Sequence, residues 1–360
     1  MSEVLHPGTL DELVDAVRST QRLLAVGAET KPRLSSVDAT KLSMEGLRGI
    51  VEYDPGEFTF TALAGTAVRE IVAALAERGQ YMPFDPMLLD ASSTLGGVVA
   101  SGLSGPGRFR FGGIRDFILG VRFVDGDGRL LRLGGKVVKN AAGFDLPKFF
   151  VGSLGRFGVL AEMTLKVFPR PSSTLTLRLD ANSIEAATSI LLGAAGRRWE
   201  LDALEIPPGE LRVALRLAGP PPALQSIASE ILSQWDGQIM ARDDSMALWA
   251  SLGEFAWTHR DGVLAKVVLA PTQLARLHHS LRTLEDIRIH VSAGGNVAFV
   301  SLAASVFVPD LDARLRDLGL SGMTLRGIGP LWLGHRRVTQ IEGAVKEALD
   351  PKNRFPSLDE

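Results

Sequence analysis

Apolar residues at Val68, Ile71, Val72 and Leu75 recur at i, i+3, i+4 and i+7, which places them on one helical face. This spacing predicts a helix over residues 66–78, with Thr66 as its N-cap and Gly79 as its stop. Elsewhere in the first half, short β-rich runs are broken by glycine. Residues 23–26 read as a strand ending at Gly27, and residues 49–53 and 58–63 as two strands around the turn Asp54-Pro55-Gly56-Glu57. Residues 117–124 and 129–133 flank Asp125-Gly126-Asp127-Gly128, a strong hairpin signal because glycine reaches positive φ without steric cost.

After Pro169-Arg170-Pro171 the texture changes to strands alternating with amphipathic helices, and a domain boundary is expected there. Strand 174–179, helix 183–195, strands 201–206 and 211–217, helix 222–235 and strand 238–242 follow the order β-α-β-β-α-β. A linking helix around 246–255 leads to a second pass: strand 263–269, helix 272–284, strands 287–291 and 297–302, helix 309–318 and strand 323–328. The expected fold class is α+β. Residues 1–171 form a first domain, residues 172–330 two ferredoxin-like (βαββαβ) units joined into one sheet, and residues 331–360 a helix (338–349) and tail returning to the body.

Hydrophobic residues make up 46% of the 360 and charged residues 22%, enough apolar material for large cores and too much for disorder. Lys+Arg 39 against Asp+Glu 41 leaves a formal net charge of −2, too even for a nucleic-acid-coating protein. The absence of cysteine excludes disulfides, thiolate nucleophiles and any cysteine-held iron–sulfur cluster in this chain, and fits a reducing compartment. No stretch approaches about 18 uninterrupted apolar residues, and the first residues show no basic-then-apolar leader. A cytoplasmic chain with no direct membrane span is expected.

Candidate chemistry concentrates in the densest glycine segment, which includes Asp85-Pro86, Ser93-Thr94-Leu95-Gly96-Gly97-Val98-Val99-Ala100-Ser101-Gly102 and Gly105-Pro106-Gly107-Arg108-Phe109-Arg110-Phe111-Gly112-Gly113. Gly96-Gly97 after a Ser/Thr cap opens a short helix, whose free N–H groups and dipole suit a pyrophosphate. Taken alone, the segment is equally compatible with simple tight turns.

A series of further segments, in order, changes that balance. They are His6-Pro7, Gly27 and its loop, Ile50-Val51-Glu52-Tyr53-Asp54-Pro55, Ala64-Gly65-Thr66, Asp85-Pro86 and Thr94-Leu95-Gly96-Gly97. Arg115-Asp116, Lys139-Asn140-Ala141-Ala142-Gly143-Phe144-Asp145-Leu146, Gly152-Ser153-Leu154-Gly155 and Gly158-Val159-Leu160-Ala161-Glu162 complete it. Over residues 1–171 the sequence resembles the flavin-binding domain of the vanillyl-alcohol oxidase and p-cresol methylhydroxylase family, and within it the FAD-binding subunits of bacterial glycolate oxidases. The resemblance implies a p-cresol methylhydroxylase-type FAD-binding domain. Gly27, Ala28, Glu29, Thr30, Lys31, Thr94, Leu95, Gly96 and Gly97 would hold the pyrophosphate. Pro86, Ala100, Ser101 and Gly102 would approach the flavin ring, Arg108, Arg110 and Gly112 would wall the site, and Gly158 and Val159 would meet the adenine.

Two departures stand out. Where the family loop has three glycines followed by Thr or Ser, this chain has Gly27-Ala28-Glu29-Thr30-Lys31. A carboxylate about 6 Å from one phosphate charge costs about 3 kcal/mol at an effective dielectric near 20, so either Glu29 points away or Lys31 compensates it. The loop also lacks a histidine and the chain lacks cysteine, so FAD is expected to be held non-covalently.

The second half offers less. Relatives that oxidise 2-hydroxy acids carry a Gly-Asp-Gly-Asn-x-His type motif, and here the nearest stretch is His290-Val291-Ser292-Ala293-Gly294-Gly295-Asn296, so no catalytic residue or metal site is assigned. His290 reads as structural, and the adjacent His278 and His279 diverge on a helix. His335, Arg336 and Arg337 can bind a carboxylate or an acidic surface, or simply be a solvated helix approach, while Trp249, Phe255 and Trp257 suit a core or a subunit interface. The resemblance implies a 2-hydroxy-acid (glycolate or D-lactate) dehydrogenase subunit, partnered by a larger catalytic flavoprotein and an iron–sulfur subunit, with any attachment to the inner membrane made through those partners. A self-sufficient FAD dehydrogenase and a structural subunit with a flavin fold but no FAD are the alternatives.

Overall fold

The computed structural model describes residues 4–135, 146–209, 211–336 and 339–360. It divides into two compact units, one of Met1–Ser104, Gly113–Arg170 and Arg337–Glu360, the other of Gly105–Gly112 and Pro171–Arg336. The main boundary thus falls at Arg170/Pro171. Residues 105–112 group with the second unit because Phe109 packs against that unit's hydrophobic core.

In the first unit, Thr9 caps the helix Leu10–Ser19 by accepting from Glu12 N, and the helix buries Leu13 and Val17. Three parallel strands form a sheet, with Thr40–Ser43 between Val4–Leu5, which precedes the helix, and Leu23–Val26. Beside them stands an antiparallel five-stranded sheet in the order Ile50–Asp54, Thr59–Leu63, Val159–Lys166, Ile118–Val124, Leu130–Gly134. Both hairpins foreseen from their turns are present. In the second, the buried Asp125 carboxylate accepts from Asp127 N, Arg129 N and Arg129 Nε, which closes the turn.

The helix in the 66–78 stretch spans Val68–Ala76 and buries Val68, Ile71 and Leu75, but Thr66 is not its cap. The Thr66 hydroxyl accepts from Gly49 N and donates to the Leu63 carbonyl, a tertiary role invisible to local pattern. The helix Gln340–Leu349 belongs to this unit. Its following turn is fixed by buried Asp350, which accepts from Arg354 N and Phe355 N, and Leu23 N donates to the Arg354 carbonyl.

In the second unit, the first sheet has the order Ala203–Glu205, Arg212–Gly219, Ser173–Asp180, Gly237–Ile239. The second has the order Arg288–Ser292, Val297–Leu302, Val263–Val268, Ser321–Arg326, Trp332–Gly334. Each pairs its first and third strands in the centre, the ferredoxin-like arrangement that the βαββαβ order implies. Their helices bury Ile190, Ile231, Leu277 and Leu311 in a core shared with Leu177, Leu215, Val267 and Val300.

Three expectations need correction. The two sheets do not merge into one; an isolated bridge links them, in which Ile206 and Val291 exchange N–H···O bonds of 2.8 and 2.9 Å. Residues 332–334, expected in the tail, form the fifth strand of the second sheet, and Arg336 stacks over the Trp332 ring at 4.2 Å. The strand expected over 238–242 ends at Ile239, and Arg242 opens the helix Arg242–Glu254.

Candidate flavin cavity

Strand Leu23–Val26 runs parallel to Thr40–Ser43, and at its end residues 27–31 turn outward into the short 3-10 helix Pro32–Ser35. Gly27 must be glycine, since a Cβ there would lie 2.2 Å from Thr94 Oγ1. Thr94 caps the helix Leu95–Ser101 as foreseen, accepting from Gly97 N at 3.3 Å, and Gly102 ends it at φ +60°. Residues 152–155 dock on the far end of that helix, with Leu154 N donating to the Ala100 carbonyl.

These segments line an open cavity. Of the residues singled out in the sequence, it brings together Gly27, Ala28, Glu29, Thr30, Lys31, Thr94, Gly96, Gly97, Ala100, Ser101 and Gly158. Others lie elsewhere. Leu95 and Val159 are fully buried in the core, and Pro86 and Gly102 do not line the cavity. Arg108, Arg110 and Gly112 belong to the second unit, where Arg110 pairs with Glu200 at 2.5 Å. The walls that sequence reading missed are mostly apolar: Leu24, Leu34, Met44, Ala64, Leu154 and Leu160. No local signal marks them, because each reaches the cavity through tertiary packing. The segment Lys139 to Leu146 lies, except for Leu146, outside the described residues, as does Arg337.

The electrostatics differ from expectation in two respects. The helix start is not an open anion site: Leu95 N donates to Thr66 O at 2.9 Å, Gly96 N to Ala64 O at 2.8 Å, Gly97 N to Thr94 Oγ1 and Val98 N to Thr94 O. The amides expected to be free are consumed within the fold. Glu29, in the left-handed region at φ 45°, is neutralised by Lys41 rather than Lys31, with both carboxylate oxygens within 2.9 Å of Lys41 Nζ. Register explains the choice, for Lys41 lies opposite Leu24 on the neighbouring strand.

Lys31 is left as the only cationic side chain lining the cavity among the described residues. It is 8% exposed, its ammonium donates to Thr30 Oγ1 at 3.0 Å, and no carboxylate among the described residues pairs with it. Burial pulls its pKa down to about 8. A lysine whose folded pKa is lowered opposes folding while charged, at a cost of roughly 3 kcal/mol near neutrality that fades as pH rises past 8 toward the unfolded value. A fold that buries this charge without an acid beside it has a cavity suited to an anion. The apolar walls and this cation fit FAD.

The second unit contains another buried polar cluster. Glu205 accepts from His290 Nε2 at 2.6 Å, Ser292 Oγ at 3.1 Å and Ala293 N at 2.9 Å, and both Glu205 and His290 are inaccessible to solvent. His290 stacks on Phe299 and meets the edge of Trp257, a structural setting. Residues Ala293–Gly295 form a tight turn with left-handed Ala293 and Gly294, and a Cβ on Gly294 would strike the Phe109 ring. Phe255 packs on Phe299, and Trp249 donates to Thr176 Oγ1, so these aromatics serve the unit's interior. Among the described residues, no group of three or more His, Asp or Glu is placed to hold a metal ion. Lys266, missed in the sequence, sits mid-strand opposite Phe299 and Met323; burial, with nearby Arg108 adding to it, pulls its pKa down to about 8.

Residues 2–134 match the FAD binding domain family. Those residues therefore carry an FAD binding domain, and FAD is the cofactor that this match gives the chain. The chain is 41% identical over 198 residues to the glycolate oxidase subunit GlcE of Escherichia coli (strain K12), covering 55% of this chain and 55% of that protein. It is 32% identical over 146 residues to the glycolate oxidase subunit GlcD of Bacillus subtilis (strain 168), covering 41% of this chain and 31% of that protein. The chain thus spans about half the length of the first relative and about a third of the second. An alkyldihydroxyacetonephosphate synthase structure shares the fold, with a TM-score of 0.69 at 16% identity over 98% of this chain and 76% of that one. No helix among the described residues is long and apolar enough to cross a membrane.

Proposed function

We propose that this chain is the FAD-binding subunit of a multi-subunit 2-hydroxy-acid dehydrogenase, oxidising glycolate or D-lactate together with a larger flavoprotein and passing electrons to an iron–sulfur partner. The observation that carries the reading is the cavity of the FAD binding domain, walled by Leu24, Leu34 and Leu154 and carrying buried Lys31. The likeness to two glycolate oxidase subunits supports the substrate class and the multi-subunit setting. Gly27 and Gly97 keep the cavity clear of side chains, and the Glu29–Lys41 pair keeps negative charge away from the phosphates. Binding is non-covalent in this reading, since no histidine, tyrosine or cysteine lines the cavity among the described residues. Bound FAD supplies an acceptor for the hydride from substrate Cα–H.

His290 is buried and held by Glu205, so it is not placed to take the hydroxyl proton. The isolated, flavin-loaded chain is therefore expected to oxidise neither acid at a useful rate. Anaerobic mixing with glycolate and with D-lactate, followed at the flavin band, checks this. A band that persists until partner subunits are added supports the reading. Rapid bleaching by either acid without partners contradicts it and points to a self-sufficient enzyme.

A further inference from the structure

We propose that the Lys31 ammonium supplies the positive charge that holds the cofactor's pyrophosphate, in place of the helix start at residues 94–97, and that loading of FAD is thereby coupled to uptake of a proton. This rests on the reading of the cavity as the FAD site.

The helix beginning at Leu95 cannot fill the role. Its first amides already serve the carbonyls of Thr66, Ala64 and Thr94 and the Thr94 hydroxyl, and freeing them would break contacts that position the helix. Lys31 is the alternative that the fold leaves in place: buried in the cavity, with a neutral hydroxyl as its hydrogen-bond partner and no carboxylate among the described residues to satisfy it. The charged groups around it are accounted for. Glu29, the other ionisable residue lining the cavity, is held by Lys41. On the same 3-10 helix Arg33 donates to the Ser36 carbonyl, and buried Arg156 is committed to the carbonyls of Leu154, Leu34 and Glu360.

With burial pulling the Lys31 pKa down to about 8, the side chain is largely neutral at higher pH unless a bound anion favours its charge. A pyrophosphate beside the ammonium favours its charged form and raises that value. FAD affinity is then flat below about pH 7 and falls above pH 8, by up to tenfold per pH unit while only the bound form keeps the proton.

The test is titration of the flavin-stripped full chain with FAD between pH 6.5 and 9.5, read by flavin fluorescence, with calorimetry at pH 8 in two buffers of different ionisation enthalpy to count protons. The expected results are proton uptake on binding by the wild-type chain and an affinity for Lys31→Met that is tenfold or more weaker at pH 7 and flat with pH. Lys31→Arg, whose charge does not titrate, retains neutral-pH affinity and loses the pH dependence. Without flavin, Lys31→Met is expected to melt higher than the wild type at pH 7, because the buried charge is gone. Wild-type affinity in Lys31→Met, or an unchanged pH profile in Lys31→Arg, overturns the proposal while leaving the FAD site standing. Failure of the wild-type chain to bind FAD at any pH overturns both.

Discussion

Replacing Gly97 by aspartate is expected to weaken FAD binding by more than a hundredfold while the chain stays folded. Gly97 lines the cavity, and among the described residues a Cβ there would meet only Thr94 Oγ1, at 3.1 Å, so there is room for a carboxylate at the cavity wall. The same position is the third residue of the helix Leu95–Ser101, where an acidic side chain is favoured by the helix dipole, so the substitution does not damage the helix. A carboxylate about 5 Å from one phosphate charge costs about 3 kcal/mol at an effective dielectric of 20, which is more than two orders of magnitude in affinity. Equilibrium dialysis against FAD, with far-ultraviolet circular dichroism as the folding control, checks this. A Gly97→Asp chain that binds like the wild type would place the cofactor elsewhere.

The second large effect concerns stability. Glu205→Ala is expected to cost about 3–5 kcal/mol, the range for breaking a buried, hydrogen-bonded ionisable pair by removing one partner. The carboxylate accepts three hydrogen bonds, and its loss leaves His290 Nε2, Ser292 Oγ and Ala293 N without an acceptor in a region closed to water. Among the described residues His290 Nδ1 has no hydrogen-bond partner, so the ring would be left with none. Denaturant unfolding of the two proteins measures the difference. A change under 1 kcal/mol would mean that the cluster is not structural and that His290 should be reconsidered as a chemical group.

What was legible in the sequence follows from how local each signal is. The apolar stripe of Val68, Ile71 and Leu75, the turn residues Asp54 to Glu57 and Asp125 to Gly128, and the double βαββαβ order are written in neighbouring residues, and the elements formed accordingly. The Thr94 cap was equally local, since Thr94 and Gly97 are three residues apart. The fate of the next amides was not. Leu95 N and Gly96 N are claimed by Thr66 and Ala64, which a reader of residues 93–102 cannot see. Glu29 is a similar case: its partner Lys41 is twelve residues away, across a parallel pairing that no short-range pattern announces. Lys31 stood out in the sequence only through the family resemblance, and Lys266 looks like an ordinary surface lysine. Their burial, and with it their lowered pKa values, is set by tertiary packing.

The claim on which the rest depends is that the cavity between the 27–31 loop and the helix Leu95–Ser101 holds FAD without a covalent bond. Its most direct test is the visible spectrum and flavin content of the purified chain, before and after acid precipitation. The account predicts a flavin absorption band, close to one FAD per chain after incubation with the cofactor, and release of the flavin into the acid supernatant. A chain that stays colourless after incubation with FAD, or a yellow pellet that retains the flavin, would contradict it.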